Sequence, residues 1–295
     1  MKPLYTQRLQ IERVEIQDQL NIFYKEDNVD RDLTTTFSTN IKNPRITAQL
    51  IAEENLIIAG LPLLDVMFNK HDIRKKKEEG SCCNKGDVLC NIIAPASLLL
   101  SHERILLNLI QRMSGIASLT SHYVQILNSS NIKILDTRKT SPGLRLFEKY
   151  SVCIGGGYNH RFDLYDGIMF KDNHLVIIDN LNLILKQIKK QHPKKPIQIE
   201  VDTLSQLKLI LHKISITIDA ILLDNMDINT TKRCAELIRQ KLPKCFIEVS
   251  GGINFNNILN YQKIDIDGIS IGALTHQATS KNIKLEFKDY EHNSN

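Results

Sequence analysis

Eight cationic side chains lie within one polar stretch of the chain, residues 136–174. They are Arg138, Lys139, Arg145, Lys149, His160, Arg161, Lys171 and His174. The same stretch contains the glycine triplet 155–157 and several polar turns. It has too little apolar surface to form a core and too many cations to be an inert segment. We therefore predict a small, densely negative ligand, and we interpret the chain as an enzyme of phosphorylated or carboxylated substrates.

The types of cation within this stretch suggest different partners. Arginine suits carboxylates because its planar guanidinium offers two parallel, charge-assisted hydrogen bonds. The candidates for binding a carboxylated ring are Arg138, His160 and Arg161, and the alternative is that they are solvated loop cations. Lys139 and Lys171 are compact point charges, which match a pyrophosphate better.

Two carboxylates end consecutive predicted strands. Glu200 and Asp224 follow apolar runs, so both could reach one cation at the same edge of a sheet. Magnesium binds few protein carboxylates and keeps positions open for phosphate oxygens and water. The sequence therefore predicts a magnesium site at Glu200 and Asp224. The alternative is that they are two solvent-facing acids.

Glycine-rich turns follow the last two predicted strands. They contain Ser250, Gly251 and Gly252 after one strand and Gly272 after the other. Barrel loops at this position often bind phosphate through backbone N–H groups, and glycine permits the close approach. Together the two turns predict a phosphate site.

The elements that position these residues are short apolar runs rich in β-branched residues. The runs that predict strands are Ile132–Thr137, Gly167–Lys171, Ile197–Val201, Ala220–Asp224, Phe246–Ser250 and Gly268–Gly272, with Ser151–Ile154 as an ambiguous seventh. Helix-length segments between them are Leu181–Lys190, Thr203–Lys213 and Thr230–Lys241. Nearly continuous apolar runs are typical of parallel strands covered on both faces. There are too few repeats for an eight-fold barrel, so we predict a smaller or open α/β barrel.

Polar residues collect where these predicted strands end. They are Asp136, Thr137, Arg138, Lys171, Asp172, Glu200, Asp202, Asp224, Asn225, Ser250, Gly251, Gly252 and Gly272. In α/β barrels the loops at this end of the strands build the active site. We therefore predict a functional rim rather than a set of solubilising side chains.

The first hundred residues lack the regular alternation of strand and helix and predict a separate, smaller α+β domain. Residues 46–59 mix a helical pattern with a strand-like end, residues 70–86 resemble a charged loop, and Asp87–Ile93 predicts a strand. Leu98–Leu127 predicts one long helix, or two joined near Ser114-Gly115. Alternating Ile283, Leu285 and Phe287 predict a strand that returns to the first domain. The predicted domains are 1–114, completed by 275–295, and 115–274.

Composition excludes several other classes of protein. The chain of 295 residues is 42% hydrophobic and 24% charged, as in ordinary globular proteins. The net charge of +5 mildly favours anionic ligands. The lysine-rich runs of the chain lack the interleaved aromatic residues of a nucleic-acid site. No apolar run has the roughly 20 residues needed to cross a membrane, and the N-terminus does not resemble a signal peptide. Six cysteines without C-x-x-C spacing indicate reduced thiols and a cytoplasmic protein.

A series of ordered motifs resembles the quinolinate phosphoribosyltransferase family over nearly the whole chain. They begin with Asp32-Leu-Thr-Thr, Ala59-Gly-Leu-Pro, Glu103-Arg-Ile-Leu-Leu-Asn, Met113-Ser-Gly-Ile-Ala and Thr137-Arg-Lys-Thr-Ser-Pro-Gly-Leu-Arg. They continue with Glu148-Lys-Tyr, Gly155-Gly-Gly-Tyr-Asn-His-Arg, Lys171-Asp-Asn-His, Glu200-Val-Asp, Leu223-Asp-Asn-Met, Glu248-Val-Ser-Gly-Gly-Ile and Ile271-Gly-Ala-Leu-Thr. So many motifs in order are not a chance similarity.

The resemblance implies a seven-stranded open α/β barrel with a smaller N-terminal domain, assembled as a homodimer with shared active sites. In the family, the N-terminal region of one subunit closes the barrel mouth of its partner. By spacing alone Arg104 is a solvated helix charge, but the resemblance implies that it reaches across the interface to quinolinate. It also implies that Arg138, His160 and Arg161 bind the ring carboxylates.

The remaining site residues acquire roles from the same resemblance. Lys139 and Lys171 are implied to bind substrate or pyrophosphate charge. Glu200 and Asp224 are implied to lie near the ribose hydroxyls and Mg²⁺. The glycine turns with Ser250, Gly251, Gly252 and Gly272 correspond to the loops that bind the 5-phosphate. The implied reaction converts quinolinate and phosphoribosyl pyrophosphate into nicotinate mononucleotide, pyrophosphate and carbon dioxide, a step of de novo NAD biosynthesis.

Two positions depart from the family pattern. Asp163 follows the His-Arg pair where a small or apolar pair is usual, and it adds negative charge near an anion site unless it points away. Arg31 precedes Asp32 where glycine is common, which affects the shape of that turn. Three other functions remain as alternatives: a related phosphoribosyltransferase that takes nicotinate, a non-catalytic barrel that binds nucleotides or an anionic regulator, and, least favoured, a nucleic-acid module.

Overall fold

A computed structural model describes residues 2–288 of the chain. The chain folds into two compact units. The parallel-sheet unit comprises residues 1–7, 122–140 and 156–276, and the antiparallel-sheet unit comprises 8–121, 141–155 and 277–295, as far as they are described. The predicted boundary between residues 114 and 115 lies inside one long helix, Ala96–Leu127.

Twelve strands and ten α-helices are assigned within residues 2–288. The strands are β1 Arg45–Ala52, β2 Leu56–Ile57, β3 Asp72–Lys75, β4 Cys82–Cys83, β5 Val88–Pro95, β6 Lys133–Leu135, β7 Ile168–Phe170, β8 Ile197–Val201, β9 Ala220–Asp224, β10 Phe246–Ser250, β11 Gly268–Ser270 and β12 Ile283–Phe287. The helices are α1 Arg13–Glu26, α2 Leu33–Thr39, α3 Pro62–Met67, α4 Ala96–Leu127, α5 Arg145–Ile154, α6 Asp172–Val176, α7 Leu181–Gln191, α8 Leu204–Lys213, α9 Ile228–Lys241 and α10 Ala273–His276.

The parallel-sheet unit is built on one six-stranded sheet. Its strand order is β6-β11-β10-β9-β8-β7, and every neighbouring pair is parallel. All five residues of β8 are buried, as expected for a strand covered on both faces. The predicted α/β architecture is confirmed, and the sheet is open between β6 and β7 in the described part of the chain.

The prediction of an ambiguous seventh strand was wrong. Ser151–Ile154 forms the last part of α5, in which residues 146–153 are all buried. A short apolar run does not distinguish a strand from a buried helix, so its context decides. Here a longer helix of ten residues includes the run.

The helices between the strands form where the apolar periodicity predicted them, in α7, α8 and α9. Each begins at a polar capping residue whose side chain accepts a backbone N–H of the first turn: Asn180, Thr203 and Asp227. Such caps satisfy donors that have no partner within the helix. They also set the point at which each strand-to-helix loop ends, which fixes the loops of the predicted rim.

The antiparallel-sheet unit contains a four-stranded sheet in the order β12-β1-β5-β3. Leu50 of β1 pairs with Leu285 of β12, which confirms the predicted return of the C-terminal strand. The helical interpretation of the start of residues 46–59 was wrong, because β1 occupies it. The predicted loop at 70–86 contains β3 and β4. Residues 289–295 of the predicted C-terminal completion lie outside the described residues.

The long helix α4 is continuous, which settles the choice between one helix and two. Gly115 lies in its middle, where glycine normally weakens a helix. A Cβ at this position would collide with the backbone carbonyl of Thr279, in the segment that leads to β12. Glycine is therefore required there by close packing. Among residues 2–288, no helix combines the length and apolar character that a membrane crossing demands.

Candidate active site

Three carboxylates converge at the carboxyl ends of β8 and β9. They belong to Glu200, Asp202 and Asp224, and each offers an oxygen within 4.8 Å of the others. The parallel register, with Glu200 opposite Leu222, brings the two strand ends to the same edge. The sequence predicted two of these acids as ligands. It placed Asp202 on the rim, but gave it no role as a ligand.

The acid cluster is an electrostatically unfavourable arrangement without a cation. Burial, followed by the charges of Asp224 and Asp202, raises the pKa of the Glu200 carboxyl, although Lys171 opposes the rise. Burial and the charges of Asp224 and Asp172 likewise raise the pKa of Asp202. Oxygen ligands this close, with mutual repulsion to relieve, fit a hard divalent cation such as Mg²⁺.

Lys171 lies directly against this cluster. It follows β7, and its Nζ is 3.0 and 3.2 Å from the two carboxylate oxygens of Glu200. Its side chain is 47% exposed, whereas that of Glu200 is only 10% exposed. The ammonium group is thus tethered on one side and accessible on the other, as required of a cation that meets an incoming anion.

The turn 250–252 has a backbone geometry that favours glycine at two consecutive positions. Gly251 and Gly252 have φ values of +96° and +62°, in the region that favours glycine. A Cβ on Gly251 would lie 2.7 Å from the backbone nitrogen of Asn225 and would collide with its side-chain oxygen. The backbone N–H of Asn225 also donates to the Ser250 carbonyl. The turns after β9 and β10 therefore pack directly against each other.

The second glycine turn brings Lys139 and an unpredicted histidine together. A Cβ on Gly272 would lie 2.9 Å from Cδ of Lys139 and 3.2 Å from Nε2 of His276. Thr275 Oγ1 donates to the Lys139 carbonyl at 2.7 Å, which ties the two loops. His276 was missed from the sequence. No local pattern marked it, because its place beside Gly272 depends on the turn that begins α10.

The three residues predicted to bind ring carboxylates have different environments. Arg138 follows β6 and is partly buried. Arg161 is 8% exposed, and its Nη1 donates to the carbonyl of Gly167 at 3.1 Å. His160 is 6% exposed and lies among polar groups of the sheet interior. Arg104 belongs to the antiparallel-sheet unit, where it is exposed on α4.

The two departures from the family pattern have local explanations. Asp163 Oδ1 accepts the backbone N–H groups of Tyr165 and Asp166, so this acid caps a turn. Arg31 ends a short 3₁₀ turn and has no positive φ, so this turn does not require glycine. Asp32 then caps α2 by accepting the N–H of Thr35.

Comparison with known proteins matches both parts of the chain. Models of the N- and C-terminal domains of quinolinate phosphoribosyl transferase match residues 32–114 and 116–286. A probable nicotinate-nucleotide pyrophosphorylase (carboxylating) of Bacillus subtilis is 38% identical over 90% of this chain and 91% of its own. The Mycobacterium leprae nicotinate-nucleotide pyrophosphorylase (carboxylating) is 35% identical over 85% of this chain and 90% of its own. The crystal structure of the Ehrlichia chaffeensis nicotinate-nucleotide pyrophosphorylase aligns with a TM-score of 0.83 at 36% identity. The alignment covers 95% of this chain and 100% of that one. The chain belongs to the quinolinate phosphoribosyltransferase family.

Proposed function

We propose that this chain transfers the phosphoribosyl group of phosphoribosyl pyrophosphate to the ring nitrogen of quinolinate, with release of pyrophosphate and carbon dioxide. The observation that carries the proposal is the acid cluster beside Lys171, flanked by glycine turns, in the unit that matches the family's C-terminal domain. This arrangement offers a cation site, an accessible ammonium group and candidate phosphate loops along one edge of a parallel sheet. A phosphorylated sugar with a pyrophosphate leaving group uses all three.

The first step forms the bond between the ring nitrogen and the anomeric carbon as the carbon–pyrophosphate bond breaks. Positive charge then develops on the sugar, and the leaving group takes the bonding electrons. Glu200 and Asp224 stabilise the sugar cation and its hydroxyls, and Lys139 and Lys171 stabilise the departing anion. Lys171 can turn towards pyrophosphate because half of its side chain is exposed beside Glu200.

Glu200 and Asp224 would also hold Mg²⁺, with Asp202 within reach. Bound there, the ion would neutralise charge on the pyrophosphate as it leaves. The turns at 250–252 and Gly272 bind the 5-phosphate through backbone N–H groups, and Lys139 and His276 line the second turn. The protein thereby fixes both ends of the phosphorylated sugar.

The second step breaks the bond between the ring and the carboxylate next to the nitrogen. The electrons of that bond stay on the ring carbon, stabilised by the adjacent positive nitrogen, as carbon dioxide leaves. That carbon then takes a proton from water, so no covalent intermediate with the enzyme is needed. Arg138 and Arg161 orient the ring for both steps. A dicarboxylate ring calls for two carboxylate clamps, whereas nicotinate would call for one.

The complete site is proposed to need two subunits. Arg104 is an exposed cation on α4, and we assign it to the quinolinate site of the partner in a homodimer. We also assign the enzyme to the cytoplasm, because its six cysteines are free thiols.

One assay tests the reaction directly. Quinolinate labelled at the carboxylate next to the ring nitrogen should release labelled carbon dioxide only when phosphoribosyl pyrophosphate and Mg²⁺ are both present. Nicotinate is the matched control, because it lacks that carboxylate and should give no nucleotide. Release without phosphoribosyl pyrophosphate, or efficient use of nicotinate, would overturn the proposal.

A further inference from the structure

The first residues of the chain pack against the parallel-sheet unit. The N-terminal segment, residues 4–7, belongs to that unit, although it precedes residue 32, where the match to the family's N-terminal domain begins. Leu4 packs against a small apolar cluster that contains Ala220 and Phe246, the first residues of β9 and β10. Because the strands are parallel, their first residues lie at the edge of the sheet opposite to their last residues. The N-terminal segment therefore contacts the sheet at the end away from the acid cluster.

Tyr5 anchors this segment in the protein interior, with only 6% of the residue exposed. Its hydroxyl donates to Gln198 Oε1 at 3.0 Å, and its ring lies 4.7 Å from that of His160, measured between the centroids. Burial raises the pKa of the hydroxyl, so it stays protonated and remains the donor in this bond. The ring lies so close to Gly167 that a Cβ there would be 2.6 Å from Tyr5 Cε1. Both a hydrogen bond and close packing thus hold the segment in place.

Gln7 binds both backbone groups of Asn159. Its Oε1 accepts the N–H of Asn159 at 2.7 Å, and its Nε2 donates to the carbonyl of the same residue at 3.1 Å. The same Nε2 donates to the carbonyl of Tyr5 at 2.9 Å, which ties the amide to its own segment. A side chain that bonds to the donor and the acceptor of one residue acts as a neighbouring strand would, so it fixes the position of that backbone.

Asp136 holds the same backbone from another side. Asn159 Nδ2 donates to one of its carboxylate oxygens at 2.7 Å, and the backbone N–H of His160 donates to the other at 2.8 Å. Asp136 is fully buried and Asn159 is 1% exposed, so water competes little for these bonds. Arg161 follows directly, and its backbone therefore extends from residues that Gln7 and Asp136 hold in place.

We propose that the N-terminal segment is a positioning element of the quinolinate site, in which Gln7 and Tyr5 hold the backbone that leads to Arg161. This inference rests on the proposed function, and it adds to the site a segment that lies outside both matched family domains. A binding group displaced by about 1 Å can cost on the order of a hundredfold in rate, so this support matters for a carboxylate clamp. Both positioning residues act through the pair His160 and Arg161 and do not themselves contact the substrate.

One substitution with a matched control tests Gln7. Gln7→Met keeps the length of the side chain but removes both bonds to Asn159. We expect the dissociation constant for quinolinate, measured by calorimetry, to rise on the order of tenfold, while KM for phosphoribosyl pyrophosphate stays unchanged. Gln17→Met, at an exposed glutamine of α1, should change neither value. An unchanged dissociation constant in Q7M would refute the proposal, and so would an equal rise in both constants, since that indicates a general loss of structure.

Tyr5→Phe provides a milder variant that serves if Gln7→Met does not fold. It removes the hydroxyl bond to Gln198 but keeps the ring and its packing. The dissociation constant for quinolinate should rise by a smaller factor than in Q7M, again without a change in KM for phosphoribosyl pyrophosphate. No rise in this variant would count against the proposal.

The wild-type enzyme supplies a test without substitutions, because positioning and binding are reciprocal. If the N-terminal segment favours the conformation that binds quinolinate, quinolinate must in turn stabilise the segment. Hydrogen exchange of the N-terminal peptide, followed by mass spectrometry, should slow when quinolinate is added, and an unchanged rate would overturn the inference. A wild-type enzyme that binds no quinolinate would refute the proposed function instead, whereas wild-type binding that Q7M retains in full would refute this inference alone.

Discussion

The acid cluster makes a prediction in which stability and activity change in opposite directions. Asp202→Asn removes one charge from the cluster. The hydrogen bond from Asp202 to Gln206 is kept, because its donor is the backbone N–H of Asp202. We expect the variant to be more stable than the wild type when no Mg²⁺ is present. We also expect it to require more Mg²⁺ for activity.

The size of the stability effect follows from the geometry. Two unit charges at the 4.8 Å limit of the cluster repel by about 3.5 kcal/mol at an effective dielectric of 20, and by about 0.9 kcal/mol in water. Asp202 is exposed, so the lower figure applies. A gain of about 1 kcal/mol corresponds to a rise of about 2–4 °C in Tm for a protein of this size class.

The dependence of this gain on pH has a definite sign. The folded state raises the pKa of Glu200 and Asp202, chiefly through burial and then through neighbouring acids, so it binds more protons than the unfolded chain. Stability from these groups is therefore present at low pH and is lost as pH rises from the ordinary carboxyl pKa through the raised folded values. The difference between Asp202→Asn and the wild type should grow over that window.

Thermal unfolding with EDTA and low salt, from acidic to neutral pH, measures the first effect, and initial rates over a Mg²⁺ series measure the second. Asp18→Asn, an exposed acid within α1, is the matched control and should change neither. A lower Tm for Asp202→Asn in EDTA would refute the repulsion argument. An unchanged Mg²⁺ requirement would remove Asp202 from the cation site.

Three further changes test other parts of the site. Arg138→Ala should weaken quinolinate binding by about 2–5 kcal/mol in calorimetry, since a carboxylate loses its charged partner; unchanged affinity would contradict the clamp. Arg104→Ala and Asp224→Ala chains should each be inactive, and mixed dimers should regain activity through one intact site; no recovery would argue against a shared site. Gly251→Ala should lose about 1–3 kcal/mol in urea unfolding and raise KM for phosphoribosyl pyrophosphate, because positive φ and a steric collision combine. Gly252→Ala, where a Cβ would meet open space, should lose less free energy of unfolding than Gly251→Ala. Equal losses in the two variants would contradict the argument.

The parallel strands were predictable because their sequence pattern and their environment agree. Runs such as Ala220–Asp224 are apolar up to their last residue, and burial on both faces favours that pattern. Glu200 and Asp224 were then predictable as neighbours, since adjacent parallel strands end at one edge. Neither inference needed knowledge of distant contacts.

The strand β1 was not predictable in the same way. Arg45–Ala52 contains Ala, Gln and Leu, which favour helices locally, but it is held between β5 and β12. One of those partners lies more than two hundred residues away in the sequence. Tertiary pairing therefore outweighed local propensity, and no short window contained the deciding information.

The same distinction explains why the rim of the site was predicted and the buried hydrogen bonds of Gln198 with Tyr5, His160 and Glu248 were not. Rim side chains take their places from local rules, namely where a strand ends and where glycine permits a turn. Tyr5 and Gln198 are 193 residues apart, and Gln198 and Glu248 are 50 apart, so their bonds depend on the assembled sheet. The one local signal was a polar residue, Gln198 or Glu248, inside a short strand whose apolar neighbours predict burial. Such a residue must find partners on folding, and here those partners hold the histidine that bonds to the backbone of Arg161. Local sequence thus predicts where the rim side chains lie, whereas the buried polar layer depends on contacts that form only when the sheet assembles.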